Sequence, residues 1–257
     1  MTCATCFKPE PLCVCDTVAP VETRHRVLIL QHPQEQEEVL GTARLATLQL
    51  PQSRLRIGLS WPNLGLALAM KAGETGGEWP ADPRSWGVLY LGSAKGATAE
   101  NRETASPLRL LDRKGEPEPA AAQAALGNTL AGIIVLDGTW SQAKTLWWRN
   151  PWLLKCRRLV LTPRFRSGYG RLRREPRPES LATLEAIALT LAELAGDEAL
   201  FPRITAPFQA LLSRVRAAGS TAGSPPGIAP GTFPVQAGRP VAGNPSSRRS
   251  SFRPRRA

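Results

Sequence analysis

A chain of 257 residues with 42% hydrophobic content can bury a sizeable core without help from disulfides. Its 33 basic against 21 acidic side chains give a formal charge of +12, which points to a polyanionic partner, nucleic acid ahead of an anionic membrane surface. No run approaches the roughly 18 apolar residues of a membrane span, and "MTCATCFKPE" lacks the apolar centre of a signal peptide, so a cytoplasmic protein is expected.

In chain order, residues 1–20 carry Cys3, Cys6, Cys13 and Cys15 and no periodicity. In a reducing compartment this C-x2-C-x6-C-x-C spacing suggests a closed tetrahedral zinc site, structural because no ligand position stays open. "RVLILQ" (26–31) reads as a strand, 38–50 as a helix, "LRIGLS" (55–60) as a strand and 63–72 as a helix. A loop over 74–85 leads to a strand at 86–91 and a polar connection to about 118. An Ala-rich helix (119–131), the strand "GIIVLD" (132–137), a helix (140–149) and the strand "RRLVLT" (157–162) follow. Helices at 180–195 and 199–218 close the series. Strands alternating with helices predict an α/β fold with a mainly parallel sheet and flanking helices. The division expected is a Cys-rich segment (1–20), a catalytic domain (21–219) and a disordered basic tail (220–257).

The tail holds six arginines and no acid; without it the balance is 27 bases to 21 acids, still +6. Within the domain, "RFRSGYGRLRREPR" (164–177) sets Arg171, Arg173, Arg174 and neighbouring arginines against a single Glu175, as a phosphate-facing loop would. In "LDGTWSQAK" (136–144), Asp137 ends an apolar strand where open α/β sheets place ligands, and a carboxylate there must be hydrogen-bonded or bind something. Gly138 permits a tight turn. Thr139 with Gln142 forms a capping-box pattern, so it reads equally as a cap and as a pocket residue. Trp140 reads equally as core and as a stacking surface. His32, in "QHPQE" (31–35), is either an acid–base group or a hydrogen-bonded structural residue. Thr183 and Glu185 lie at the start of an amphipathic helix.

Together, the cysteine cluster, "QHPQE", "GTARL" (41–45), "LDGTWSQAK", "RSGYGRLRREP" (166–176) and "ATLEAIA" (182–188) resemble the DTW-domain family of tRNA-uridine aminocarboxypropyltransferases. The resemblance implies a SPOUT-like sheet with a knotted C-terminal half. It also implies transfer of the 3-amino-3-carboxypropyl group of S-adenosylmethionine to N3 of a tRNA uridine, releasing methylthioadenosine. It casts Asp137 as base or as donor-orienting group. Gly138, Thr139, Trp140, Thr183 and Glu185 become pocket residues, and Arg171, Arg173, Arg174 and His32 face substrate. The chain departs from the family pattern at Thr5, where an Arg is usual, at Gly41 (Asn) and at Ala182 (Ser). The alternatives are a SPOUT-type RNA methyltransferase and a non-catalytic zinc-containing RNA-binding protein. Oligomeric state is left open.

Overall fold

The computed structural model describes residues 1–71, 77–89, 106–173 and 180–221. Met1–Ala217 form one compact unit; of the remaining 218–257, only the end of the last helix, to Thr221, is described. Most of the expected tail, Arg174 and Glu175 of the basic loop, and the last two residues of the 86–91 strand lie outside the described residues.

Among the described residues six strands form one sheet: β1 (Arg26–Gln31), β2 (Ser53–Ile57), β3 (Trp86–Leu89), β4 (Leu108–Leu111), β5 (Gly132–Asp137) and β6 (Arg157–Leu161), in the order β2-β1-β5-β3-β6-β4. All neighbours are parallel except β4, which pairs antiparallel with β6 at the edge. The sheet is thus mainly parallel, as expected. β4 departs from the expected polar connection: Leu108, Leu110 and Leu111 are buried around the half-buried Arg109.

The central strands β1 and β5 are almost wholly buried because helices cover both faces, and their sequences are correspondingly apolar. The helices are α1 (Ala43–Gln49), α2 (Leu64–Leu68), α3 (Ala120–Ala124), α4 (Leu126–Thr129), α5 (Trp140–Arg149), α6 (Thr183–Ala195) and α7 (Leu200–Thr221). Leu28, Leu30, Ile134 and Leu136 pack with Leu64 and Leu68 of α2 and Ala143 and Leu146 of α5. Strand alternation sends Val27, Ile29, Ile133 and Val135 to the opposite face, where α6 packs on β5 and α1 on α6. Gln31 and Asp137 belong to this second series by the same alternation, so their side chains leave the sheet on the α6 side.

Four helices are shorter than the periodicity suggests, the 180–195 stretch becoming helical only at Thr183. The 38–50 pattern becomes helical only at Ala43, because 38–42 is a turn closed by the Gly41 amide on the Glu38 carbonyl at 2.9 Å. α2 stops at Leu68 because buried arginines of β2 capture its terminal carbonyls: Arg56 donates to Ala67 O at 2.9 Å and Ala69 O at 2.7 Å, and Arg54 to Leu68 O. The 119–131 stretch divides at Ala125.

Candidate active site at the carboxyl edge of the sheet

Parallel pairing puts Gln31, the last residue of β1, in register with Asp137, the last of β5. Two adjacent strands therefore end in polar side chains on one edge of the sheet. Gln31 Nε2 donates to Asp137 Oδ2 at 2.7 Å, and the hydroxyl of Thr183, the first residue of α6, donates to Oδ1. Both oxygens of a buried carboxylate are thus engaged by neutral donors, and each can accept a further hydrogen bond.

Beyond Asp137 the chain turns at once into α5. Gly138 is needed there, since a Cβ would lie 2.9 Å from Gln142 Cβ. Thr139 is the cap of α5: its hydroxyl accepts from the Gln142 amide at 3.4 Å, while Gln142 Oε1 accepts from the Thr139 amide at 2.6 Å, a complete capping box. Trp140 is half-buried at the first position of the helix. His32 caps a short 3-10 turn: its Nδ1 accepts from Gln34 N at 3.3 Å, and its amide donates to Asp137 O at 3.0 Å. Burial lowers its pKa, favouring the neutral ring.

Glu185 is buried beneath the basic loop. Its Oε2 accepts from Ser167 Oγ at 2.6 Å and Ala182 N at 2.9 Å, and its Oε1 from Gly168 N at 2.9 Å. The carboxylate thereby latches the loop to the first turn of α6. Tyr169 of the same loop is buried against Phe208, and its hydroxyl donates to Leu40 O at 2.7 Å. Arg173 lies over the Tyr169 ring at 5.6 Å and 3.8 Å from Glu35 Oε2, whereas Arg171 is exposed. The Glu35 carboxyl is raised above its usual range, first by burial and then by the charge of Asp137, with Arg173 opposing.

The structure adds three groups to those expected from the sequence: Gln31, Glu35 and Lys8. Lys8, 4% exposed, donates to Gly41 O at 2.5 Å and Glu38 O at 3.2 Å; burial pushes its ammonium down to about 8, against the pull of Cys6 and Asp137. The signal for Gln31 was the matching polar end of a second apolar strand, and Glu35 sits in the "QHPQE" segment already singled out. Lys8 had no signal other than its place inside the cysteine cluster.

The four clustered thiols are free, with all sulfurs within 4.8 Å of one another; Cys3–Cys15 and Cys6–Cys13 are each 3.7 Å apart. A tetrahedral zinc with bonds of about 2.3 Å sets its sulfurs roughly 3.8 Å apart, so the four residues fit that ion. Backbone hydrogen bonds at Cys6 and Thr5 hold the Cys3 thiol down to about 6, while burial and the neighbouring thiols push Cys15 up to about 12, so the case for a metal rests on the sulfur geometry. Burial pushes the fifth thiol, Cys156, up to about 12, which suits an inert core residue.

A cavity of about 1080 Å³ is lined by Arg24, His25, Arg109 and Asn128 among others. None of its lining residues belongs to the Asp137 group. Among the described residues no helix is long and apolar enough to cross a membrane.

The family model of the DTW domain matches residues 1–216. The chain is 29% identical over 213 residues to tRNA-uridine aminocarboxypropyltransferase 2 of Macaca fascicularis, covering 82% of this chain and 62% of that protein. The Mus musculus protein of the same name is 29% identical over 215 residues with the same coverage, and that of Drosophila melanogaster 25% identical over 213 residues, 81% of this chain and 72% of its own. The chain thus spans 62% of the length of the two mammalian relatives. No solved structure matches.

Proposed function

The chain belongs to the DTW-domain family, and from that premise we propose that it transfers the 3-amino-3-carboxypropyl group of S-adenosylmethionine to N3 of a uridine in tRNA. The observation that carries this reading is Asp137, fixed by Gln31 and Thr183 at the carboxyl edge of a parallel sheet, next to a basic loop latched on the same helix. The names of its relatives supply the reaction class. The knotted C-terminal half implied by the resemblance belongs to the same proposal.

In this reaction N3 of the uridine loses its proton, the N3–carbon bond forms, and the carbon–sulfur bond breaks with its electron pair returning to sulfur, leaving neutral methylthioadenosine. The sulfonium already activates the carbon, so the protein has to align the two substrates and accept one proton. Asp137, clamped and still able to accept, orients the ammonium of the donor. Glu35, whose pKa is raised above the ordinary glutamate range by burial and by the neighbouring Asp137, is the group suited to take the N3 proton. Gly138, Thr139 and Trp140 shape the donor pocket, with Thr183 holding Asp137 and Glu185 holding the pocket wall. Arg171, Arg173 and Arg174 neutralise tRNA phosphates or the donor carboxylate; His32, as a neutral cap, borders the uridine. Zinc on Cys3, Cys6, Cys13 and Cys15 would staple the N-terminal segment.

Nucleoside mass spectrometry of tRNA incubated with the protein and S-adenosylmethionine tests the proposal: the aminocarboxypropyl mass on uridine together with free methylthioadenosine is expected. A methyl increment would replace it with the methyltransferase reading. Tight tRNA binding with no modified nucleoside would favour a non-catalytic RNA-binding protein. Asp137→Asn should abolish transfer with tRNA affinity within a few-fold of wild type.

A further inference from the structure

We propose that Lys8 is a positioning residue that transmits the order of the cysteine segment to Asp137 through the 38–42 turn. Its placement begins with the knuckle between the first two cysteines and Lys8. The Phe7 amide donates to Cys3 O at 3.0 Å, the Cys3 amide to Lys8 O at 2.9 Å, and Phe7 adopts a left-handed φ of 58°, rare for an aromatic residue. That turn leaves the Phe7 ring on the surface and sends the Lys8 side chain inward.

The ammonium binds two carbonyls of one turn, Glu38 O and Gly41 O. The same turn serves two other segments. Leu40 O accepts the Tyr169 hydroxyl of the basic loop, and the Thr42 hydroxyl accepts the Leu184 amide at 3.1 Å. The last contact is a helix cap supplied from a distant segment. Ala182, at the N-cap position of α6, has no side-chain acceptor, so Thr42 satisfies an amide of the first turn in its place. Thr183, which holds Asp137, is the residue just before Leu184. The order of contact is therefore Lys8, the 38–42 turn, Thr42, the start of α6, Thr183 and Asp137. A buried lysine is costly for mere packing, and here its donors fix the conformation of the turn at the head of that series.

The test is a double-mutant cycle with Lys8→Met and Thr42→Val in the full chain. Hydrogen exchange at the Leu184 amide should accelerate about tenfold or more in each single variant, as for the loss of one cap bond. An unchanged Leu184 amide in Lys8→Met would overturn the proposal. The second measurement, S-adenosylmethionine affinity, rests on the function proposed above. Each single variant should weaken it about tenfold and the pair no further, because both act on one element; additive losses would overturn the relay. If the wild-type chain binds no S-adenosylmethionine, the functional reading fails while Leu184 exchange still decides the role of Lys8. Should Lys8→Met not fold, Lys8→Gln is measured in its place with the same criteria.

Discussion

Glu185→Gln isolates the contribution of the carboxylate that joins the basic loop to α6. Glu185 is 2% exposed and accepts three hydrogen bonds, from Ser167 Oγ and Ala182 N on one oxygen and Gly168 N on the other. Glutamine has the same shape but one acceptor oxygen. If that oxygen takes the position shared by Ser167 and Ala182, its NH2 group faces the Gly168 N–H, donor against donor. One unsatisfied buried donor costs about 1–3 kcal/mol, and the two remaining bonds lose their charge assistance, so the total is on the order of 2–4 kcal/mol. For a unit of this size each kcal/mol lowers Tm by about 2–4 °C. Urea titration should therefore show a lower midpoint at unchanged slope. Because the loop carrying Arg171 and Arg173 starts at this latch, tRNA affinity should fall more than S-adenosylmethionine affinity. A stability change under about 0.5 kcal/mol, with tRNA affinity unaltered, would refute the claim that the carboxylate holds the loop.

Other outcomes follow from the same geometry. Gly138→Ala places a Cβ 2.9 Å from Gln142 Cβ, so the α5 capping box must shift; a loss of about 1–3 kcal/mol is expected in chemical denaturation. Glu35 has a folded-state pKa raised above its unfolded value, so its carboxyl favours the fold at low pH and that contribution is lost as pH rises through the folded pKa. Glu35→Gln should then be more stable than wild type at neutral pH, with the difference vanishing below the ordinary glutamate range, and it should flatten the acid limb of the transfer rate. A chelator should release one zinc per chain, expose four thiols to a thiol reagent and lower Tm. A chain purified with no metal and four reactive thiols would contradict the zinc assignment.

The parallel sheet was legible because buried strands leave an apolar run with a hard polar stop, as in "RVLILQ" and "GIIVLD", and both ranges coincide with β1 and β5. The thiol cluster was legible from spacing alone. β4 was not, since four residues at an edge, one of them Arg109, carry too little alternation to stand out from "SPLRLLD". A helix end is not legible where a polar group from another element captures it, as Arg54 and Arg56 do for α2, because nothing local records such a partner. The same reason hides the partners of Gln31 and Thr42, which lie 106 and 142 residues away in sequence. Asp137 was recognisable as a residue needing a partner, but the identity of that partner is a property of register and of helix placement.

The buried polar residues divide into two kinds, and the division bears on why the carboxyl edge is a site. His25, Gln49, Asn150, Arg54 and Arg56 donate mainly to main-chain carbonyls, the usual way a buried side chain secures a loop or a helix end. At the carboxyl edge such backbone contacts, as at Lys8, Tyr169 and Glu185, are joined by contacts between side chains: Gln31 and Thr183 to Asp137, Ser167 to Glu185, Arg173 to Glu35. Burying carboxylates is expensive, and apolar replacements of similar volume are often neutral or stabilising when a whole polar group is exchanged. Replacing Gln31, Asp137 and Thr183 together by Leu, Leu and Val should accordingly cost little stability, whereas Asp137→Leu alone strands two donors and should cost about 2 kcal/mol or more. A triple variant that stays folded but loses donor binding would show that this edge is organised for a ligand and not for the sheet.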